Sequence, residues 1–365
     1  MDNLDVDKLY MSRCLELALN GMGSVAPNPM VGAVVVHNGK IIGEGFHAQY
    51  GEAHAEVNAI NSVRDKSLLQ DSTLYVSLEP CSHYGKTPPC TDRIVEYGIP
   101  RVVVATTDPN PRVSGRGLEQ LRKHGVEVSL GILEDEALLL NRRFITFHTC
   151  KRPYIILKWA QTIDGFIDLV RTAETPVGSV WITNELARSL VHRWRSEEQA
   201  VIVGTNTVER DNPRLNIRSW SGRNPIRVIV DRKLRLSRDA NVFDGSQPTI
   251  LFIGNNSSAL VRKSEFAGIS NLEMVTIDFA KGSEQQILKE LSDRDVISLI
   301  IEGGATLLNN FIQKNLWDEA RVFVGNRFFG EGVKAPLFKG DPVSYEEVGD
   351  SKLFIYRNQQ GRSNR

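Results

Sequence analysis

Apolar residues fall on one face of a helix from about Asp7 to Asn20, and the pattern stops at Gly21. The period then changes. VGAVVV, HNGK and IIGEGF read as two strands around a turn, with Asn38-Gly39 supplying the positive φ that a tight hairpin needs. HAEVNAINSV returns to helical spacing, TLYVSL is a β-rich run ending at Glu79-Pro80, and TDRIVEYG is a short helix closed by Gly98. RVVVATT, GLEQLRKHG and VEVSLGI follow as strand, helix and strand, and DEALLLNRRFITFH as one closing helix. A hairpin followed by alternating strands and helices predicts a mixed sheet covered by helices, complete near His148.

Lys151-Arg152-Pro153 makes a seam, and a second α/β series follows. Its predicted strands are YIILKWA, AVIVGT, IRVIVD, TILFIG, LEMVTID, SLIIEGG, ARVFVG and KLFIYRN; its predicted helices are NELARSLVHRWRSEE, SEQQILKELS and ATLLNNFIQKNL. The tail GRSNR is expected to be disordered. The reading is α/β throughout, in two domains spanning 1–148 and 153–360.

Length agrees: 365 residues suit two domains at ~150 residues each. The charges cancel, 44 basic against 44 acidic, without the basic excess of a nucleic-acid scaffold. The segment MDNLDVDKLY is acidic and lacks an apolar signal core, and no apolar run reaches bilayer length. A cytoplasmic protein with no membrane or nucleic-acid partner is expected. Thiols stay reduced there, so a cysteine cluster points to metal binding or catalysis rather than to a disulfide. Of the four cysteines, Cys14 and Cys150 read as plain buried thiols.

Cys81 and Cys90 differ. They bracket EPCSHYGKTPPC, and GEAHAEVNAI lies upstream with His54 and Glu56 two apart at a helix start. One imidazole and two thiolates suit zinc with a coordination position left for water, and Glu56 remains to handle protons. H-x-E…P-C-x-x-C marks zinc nucleobase deaminases. Here eight residues separate the cysteines, and Gly85, Pro88 and Pro89 are expected to bring Cys90 back, just before a helix whose start favours a thiolate. The chemistry indicated is hydrolytic removal of a ring amino group, with Glu56 moving the proton. A structural site would instead add a fourth ligand, for which His83 is the candidate, and unliganded core thiols are the other alternative. His37 is expected in the solvated turn; His47 either touches substrate or packs.

PNPMVGAVVV, GFH, HAEVNAI and EPCSHYGKTPPC together resemble the deaminase domain of the bifunctional riboflavin-biosynthesis deaminase/reductase family. The resemblance implies a cytidine-deaminase-like fold, zinc on His54, Cys81 and Cys90, Glu56 as proton shuttle, and Asn28 in the pyrimidine pocket. Asn28 and its flanking prolines could equally just shape a turn.

The second half lacks G-x-G-x-x-G, but SLIIEGGATLL runs strand, Glu302, two glycines, helix. Such a turn lets backbone approach a phosphate, or it is simply a tight connection. LKWAQTIDGFI, WIT, VGTNTVERDNPRLNIR and IEGGATL occur in the order of the same family's reductase domain, which resembles dihydrofolate reductase in fold. The resemblance implies NADPH near Ala160, Trp181, Thr207, Asp211, Gly304, Ala305, Thr306 and Leu307, and substrate at Ser179, Arg195, Leu215, Arg218 and Glu302. Two arginines would suit the substrate phosphate, although Arg195 also reads as a solvated helix face and Arg218 as loop charge. The chain departs from the family at Asn212, Asn216 and Thr162, and carries unusual apolar residues around Leu169. Lys158 and Asp164 are candidates for the acid of the reduction step. The implied whole is a two-step homo-oligomeric enzyme acting on a small pyrimidine ribosyl phosphate. The rivals are a nucleic-acid-editing deaminase with an accessory domain, and a non-enzymatic zinc-stapled binding module.

Overall fold

Alternation along the strands decides the layers. Val34, Val36, Tyr75 and Val103 point to one side of the first sheet and Ala33, Val35, Leu74, Val76, Val102 and Val104 to the other, so helices are needed on both faces. In the computed structural model, which describes residues 3–84, 88–110, 114–172 and 174–358, they are supplied on both. Gly85 and the GRSNR tail lie outside the described residues.

The first unit runs to Lys151. Its elements are α1 (Asn3–Leu19), β1 (Gly32–His37), β2 (Lys40–Phe46), α2 (Ala55–Ser62), β3 (Ser72–Val76), α3 (Cys90–Glu96), β4 (Arg101–Val104), α4 (Arg116–Lys123), β5 (Glu127–Leu130), α5 (Glu134–Leu140) and α6 (Arg142–Cys150). The sheet order is β2-β1-β3-β4-β5, with β1 antiparallel to both neighbours and β3, β4 and β5 parallel. Asn38 and Gly39 make the hairpin turn at φ 48° and 73°. Close packing of α2 on β2 depends on Gly45, where a Cβ would lie 2.3 Å from the Ala59 nitrogen.

Three expectations are corrected here. The closing helix is two helices broken at Asn141, whose side chain accepts from the Met30 N–H at 2.8 Å and donates to the Met30 carbonyl at 2.9 Å. Cys150 is exposed, at the end of α6. His37 closes β1 half-buried instead of sitting in the turn.

The second unit starts at Arg152. It contains β6 (Tyr154–Gln161), β7 (Phe166–Asp168), α7 (Glu185–Glu197), β8 (Ala200–Gly204), α8 (Thr205–Asp211), β9 (Ile226–Val230), β10 (Thr249–Gly254), α9 (Ser257–Arg262), β11 (Leu272–Ile277), α10 (Ser283–Ser292), β12 (Ser298–Ile301), α11 (Ala305–Gln313), β13 (Glu319–Val324), β14 (Val333–Lys334), β15 (Ser344–Val348) and β16 (Ser351–Arg357). The order β11-β10-β9-β8-β12-β6-β13-β16-β15 is parallel from β11 to β13 and antiparallel beyond. The parallel strands read as continuous apolar runs because both faces are covered: Val191 and Trp194 of α7 lie over one, Leu288 of α10 and Phe311 of α11 over the other. Among the described residues, no helix is long and apolar enough to cross a membrane.

Candidate active sites

Local geometry delivers each member of the histidine–cysteine set. His54 caps α2 and Glu56 lies in its first turn; Cys81 follows the end of β3; Cys90 is the first residue of α3. The ligand atoms of His54, Cys81 and Cys90 all lie within 4.8 Å of one another. His54 Nδ1 is 3.3 Å from the Cys90 sulfur and 3.5 Å from that of Cys81, and the Cys90 N–H points at the Cys81 sulfur at 3.4 Å. His83 is exposed and stands outside the cluster. A cluster of one imidazole nitrogen and two sulfurs fits zinc with a coordination position to spare.

Electrostatics separate the sulfurs. The Cys90 hydrogen bond and the neighbouring His54 pull the Cys81 thiol well below its usual range, whereas the Cys81 sulfur and burial push Cys90 up. One negative charge is thus shared across the pair, and a dication is what holds both as thiolates. Burial pushes Glu56 up to about 7, partly offset by His54. That is the range of a working general base.

A buried carboxylate frames this site. Glu79 accepts the backbone N–H groups of Asp108, Gly115 and Gly117 at 3.2, 2.9 and 2.9 Å, tying the loop after β4 to the Pro80-Cys81 corner. Sequence reasoning passed over it; an acid flanking P-C at a strand end was the available signal. His47 proves to be buried beside His54, their rings 5.4 Å apart. Its Nδ1 faces the Ala53 carbonyl at 3.1 Å, so that nitrogen carries the proton and Nε2 accepts from Asn28 Nδ2 at 3.1 Å. Burial keeps the ring neutral.

In the second unit a cavity of about 530 Å³ opens where β6, β8, β9 and β12 end, the usual ligand crevice of a parallel sheet. Ala160, Thr207, Asp211, Glu302, Gly304, Ala305, Thr306 and Leu307 line it. Gly304 at φ 67° turns the chain into α11, whose first-turn N–H groups have no intrahelical partner. A Cβ on Gly304 would press on the Thr207 hydroxyl at 3.3 Å. This cradle fits a dinucleotide phosphate.

Ser179, Trp181, Arg195, Leu215 and Arg218 lie outside that lining. Ser179 is exposed, Trp181 lies beneath the Arg188 guanidinium at 4.6 Å, and the Leu215 side chain is in the core. Arg195 is buried rather than solvated and pairs with Glu302; its Nη1 donates to the Asn216 carbonyl at 3.0 Å. Arg218 is exposed and donates to the Asn216 side chain at 2.8 Å. Lys158 lines the cavity, 3.7 Å from Glu302, whereas Asp164 is spent on the N–H groups of Phe329 and Gly330. Asn212 caps α8 at φ 41° and holds Asn241 by two hydrogen bonds of 2.8 and 2.7 Å. Arg171, Asp168 and the cations Arg232 and Lys233 also line the cavity and were missed. The lone arginine in the apolar stretch around Leu169 was the signal for the first.

A deaminase-type metal centre in one α/β unit and a nucleotide crevice in the other define a bifunctional deaminase and reductase. Family comparison agrees. Residues 4–106 match the cytidine and deoxycytidylate deaminase zinc-binding region, and residues 153–353 the RibD C-terminal domain. The riboflavin biosynthesis protein RibD of Aquifex aeolicus is 41% identical over 90% of this chain and 89% of its own length; that of Bacillus amyloliquefaciens is 40% identical over 92% and 89%. A Thermotoga maritima crystal structure, described as a diaminohydroxyphosphoribosylaminopyrimidine deaminase and 5-amino-6-(5-phosphoribosylamino)uracil reductase, is 40% identical with a TM-score of 0.84, covering 97% of this chain and 99% of that one. Acinetobacter baumannii RibD, 34% identical over the same shares, has a TM-score of 0.85. The chain belongs to the RibD family of riboflavin biosynthesis proteins. Its first unit is the zinc-dependent deaminase and its second the NADPH-dependent reductase of a bifunctional enzyme, with the cytidine-deaminase-like and dihydrofolate-reductase-like folds expected from the sequence.

Proposed function

We propose that the first unit deaminates the diamino-hydroxy-phosphoribosylamino-pyrimidine and that the second reduces the ribosyl side chain of the product to ribityl. The observation that carries this reading is the convergence of His54, Cys81 and Cys90 beside buried Glu56 in a chain whose other half has a dinucleotide crevice. His54, Cys81 and Cys90 hold the zinc. When bound, the ion supplies the Lewis acidity that makes water nucleophilic near neutral pH. Glu56 takes up the proton released in the attack and delivers it to the departing amino nitrogen. Asn28, its Nδ2 committed to His47, offers its Oδ1 to a donor on the pyrimidine edge.

In the second unit Gly304 to Leu307 hold the cofactor phosphates, and Ala160, Thr207 and Asp211 complete the NADPH site. NADPH supplies the hydride when bound. Arg218, Arg195 and Glu302 serve the substrate, Arg218 through the phosphate and Arg195 through its grip on Glu302. Lys158, buried beside Glu302, is the proton donor favoured by location.

The test supplies the pyrimidine phosphate with NADPH and follows ammonia and NADPH together. Ammonia should appear first and NADPH oxidation should follow. Ammonia without NADPH loss would confine the activity to deamination, and neither signal would overturn the reading.

A further inference from the structure

Asp168, at the end of β7, and Asp211, at the last residue of α8, line the same cavity. Two carboxylates make a poor lining for a polyanionic dinucleotide, because like charges brought together repel. Arg171 lies between them, its side chain 7% exposed. Its Nε donates to Asp168 at 3.1 Å and its Nη2 to Asp211 at 2.7 Å. Its Nη1 donates to the carbonyls of Gly178 and Arg210, each at 2.9 Å. The Gly178 N–H closes the knot on the Arg210 carbonyl at 2.9 Å. One guanidinium therefore joins the end of β7, the chain at Gly178 and the end of α8. A lysine ammonium, a point charge without the planar fork, cannot span the same acceptors.

We propose that Arg171 is a positioning residue of the pyridine-nucleotide cavity: it fixes Asp211 and offsets one of the two carboxylate charges, so that the wall they share accepts a polyanionic cofactor. The inference rests on the reading of this cavity as the NADPH site. Without the guanidinium, Asp168 and Asp211 lose the counter-ion they share, with Arg210, Arg232 and Lys233 the cations left on the lining, and the Gly178 and Arg210 carbonyls lose their shared donor.

The experiment titrates full-length wild type, R171Q and R171K with NADPH, following cofactor fluorescence at low and high salt, alongside thermal melts. R171Q should bind NADPH about 10–100-fold more weakly, the size of a lost charge-assisted contact, with the deficit largest at low salt where repulsion is unscreened. R171K, which restores charge but not the bridge, should fall between R171Q and wild type. A folded R171Q that titrates like wild type overturns the proposal, as does an R171K as weak as R171Q at both salts. If R171Q melts below the assay temperature, R171K decides: affinity equal to wild type overturns the bridge. Wild type failing to bind NADPH would sink the assignment of the cavity instead.

Discussion

Arg195 holds Glu302 with both edges of its fork, Nε to Oε1 at 2.7 Å and Nη2 to Oε2 at 2.8 Å. Arg195 is therefore already committed to a carboxylate. Asn216 couples this pair outward, its carbonyl taking Arg195 and its side chain Arg218.

Acid should weaken the second unit through this pair. Burial raises the Glu302 carboxyl, but Arg195 and Lys158 more than offset it and hold it down to about 2. A folded value below the unfolded one means stability that is complete above about pH 5 and lost as pH falls toward 2, about 3 kcal/mol in all. Denaturant melts across that window should show the loss in wild type and a flatter profile in Glu302→Gln. Arg195→Ala, leaving the carboxylate with Lys158 alone, should cost about 3–5 kcal/mol at neutral pH.

Glu56→Ala should keep its zinc and lose deamination by about 10²–10⁴-fold, the range of a general base removed. Metal analysis beside an ammonia assay decides; wild-type rates in a zinc-loaded variant would eliminate the shuttle.

Gly117→Ala should loosen the metal. A Cβ there would lie 2.1 Å from the Pro80 carbonyl, next to a ligand, at the start of α4, which Glu79 secures. Zinc affinity, measured by competition with a chelator, should fall about 10–100-fold, as when outer supports of metal ligands are removed.

Asn216→Ala should release Arg218 from its side-chain tether while keeping the backbone carbonyl that accepts from Arg195. The KM for the phosphate substrate should rise about tenfold, the size of a hydrogen bond to a charged group, with kcat affected less. An unchanged KM would show that Asn216 has no part in substrate binding.

The metal cluster could be read from sequence because its signals are local: His54 and Glu56 share one helical turn, and Cys81 and Cys90 flank one loop. The hairpin at Asn38-Gly39 was legible for the same reason, positive φ being written in the residue types. Contacts between distant residues left no such mark. The Asn141 side chain finds its partner at Met30, 111 residues away, and Arg195 looks like surface charge in WRSEEQ until Glu302 is brought against it. Arg171 escaped because its partners at Asp211 and Gly178 are gathered only by the folded wall.

Each sheet draws its strands from one side of the Lys151–Arg152 bond. Among the described residues, neither unit borrows a strand from the other. What the fusion then secures is dosage: every ribosome that completes one catalyst also completes the next, in equal numbers, without any separate control over expression.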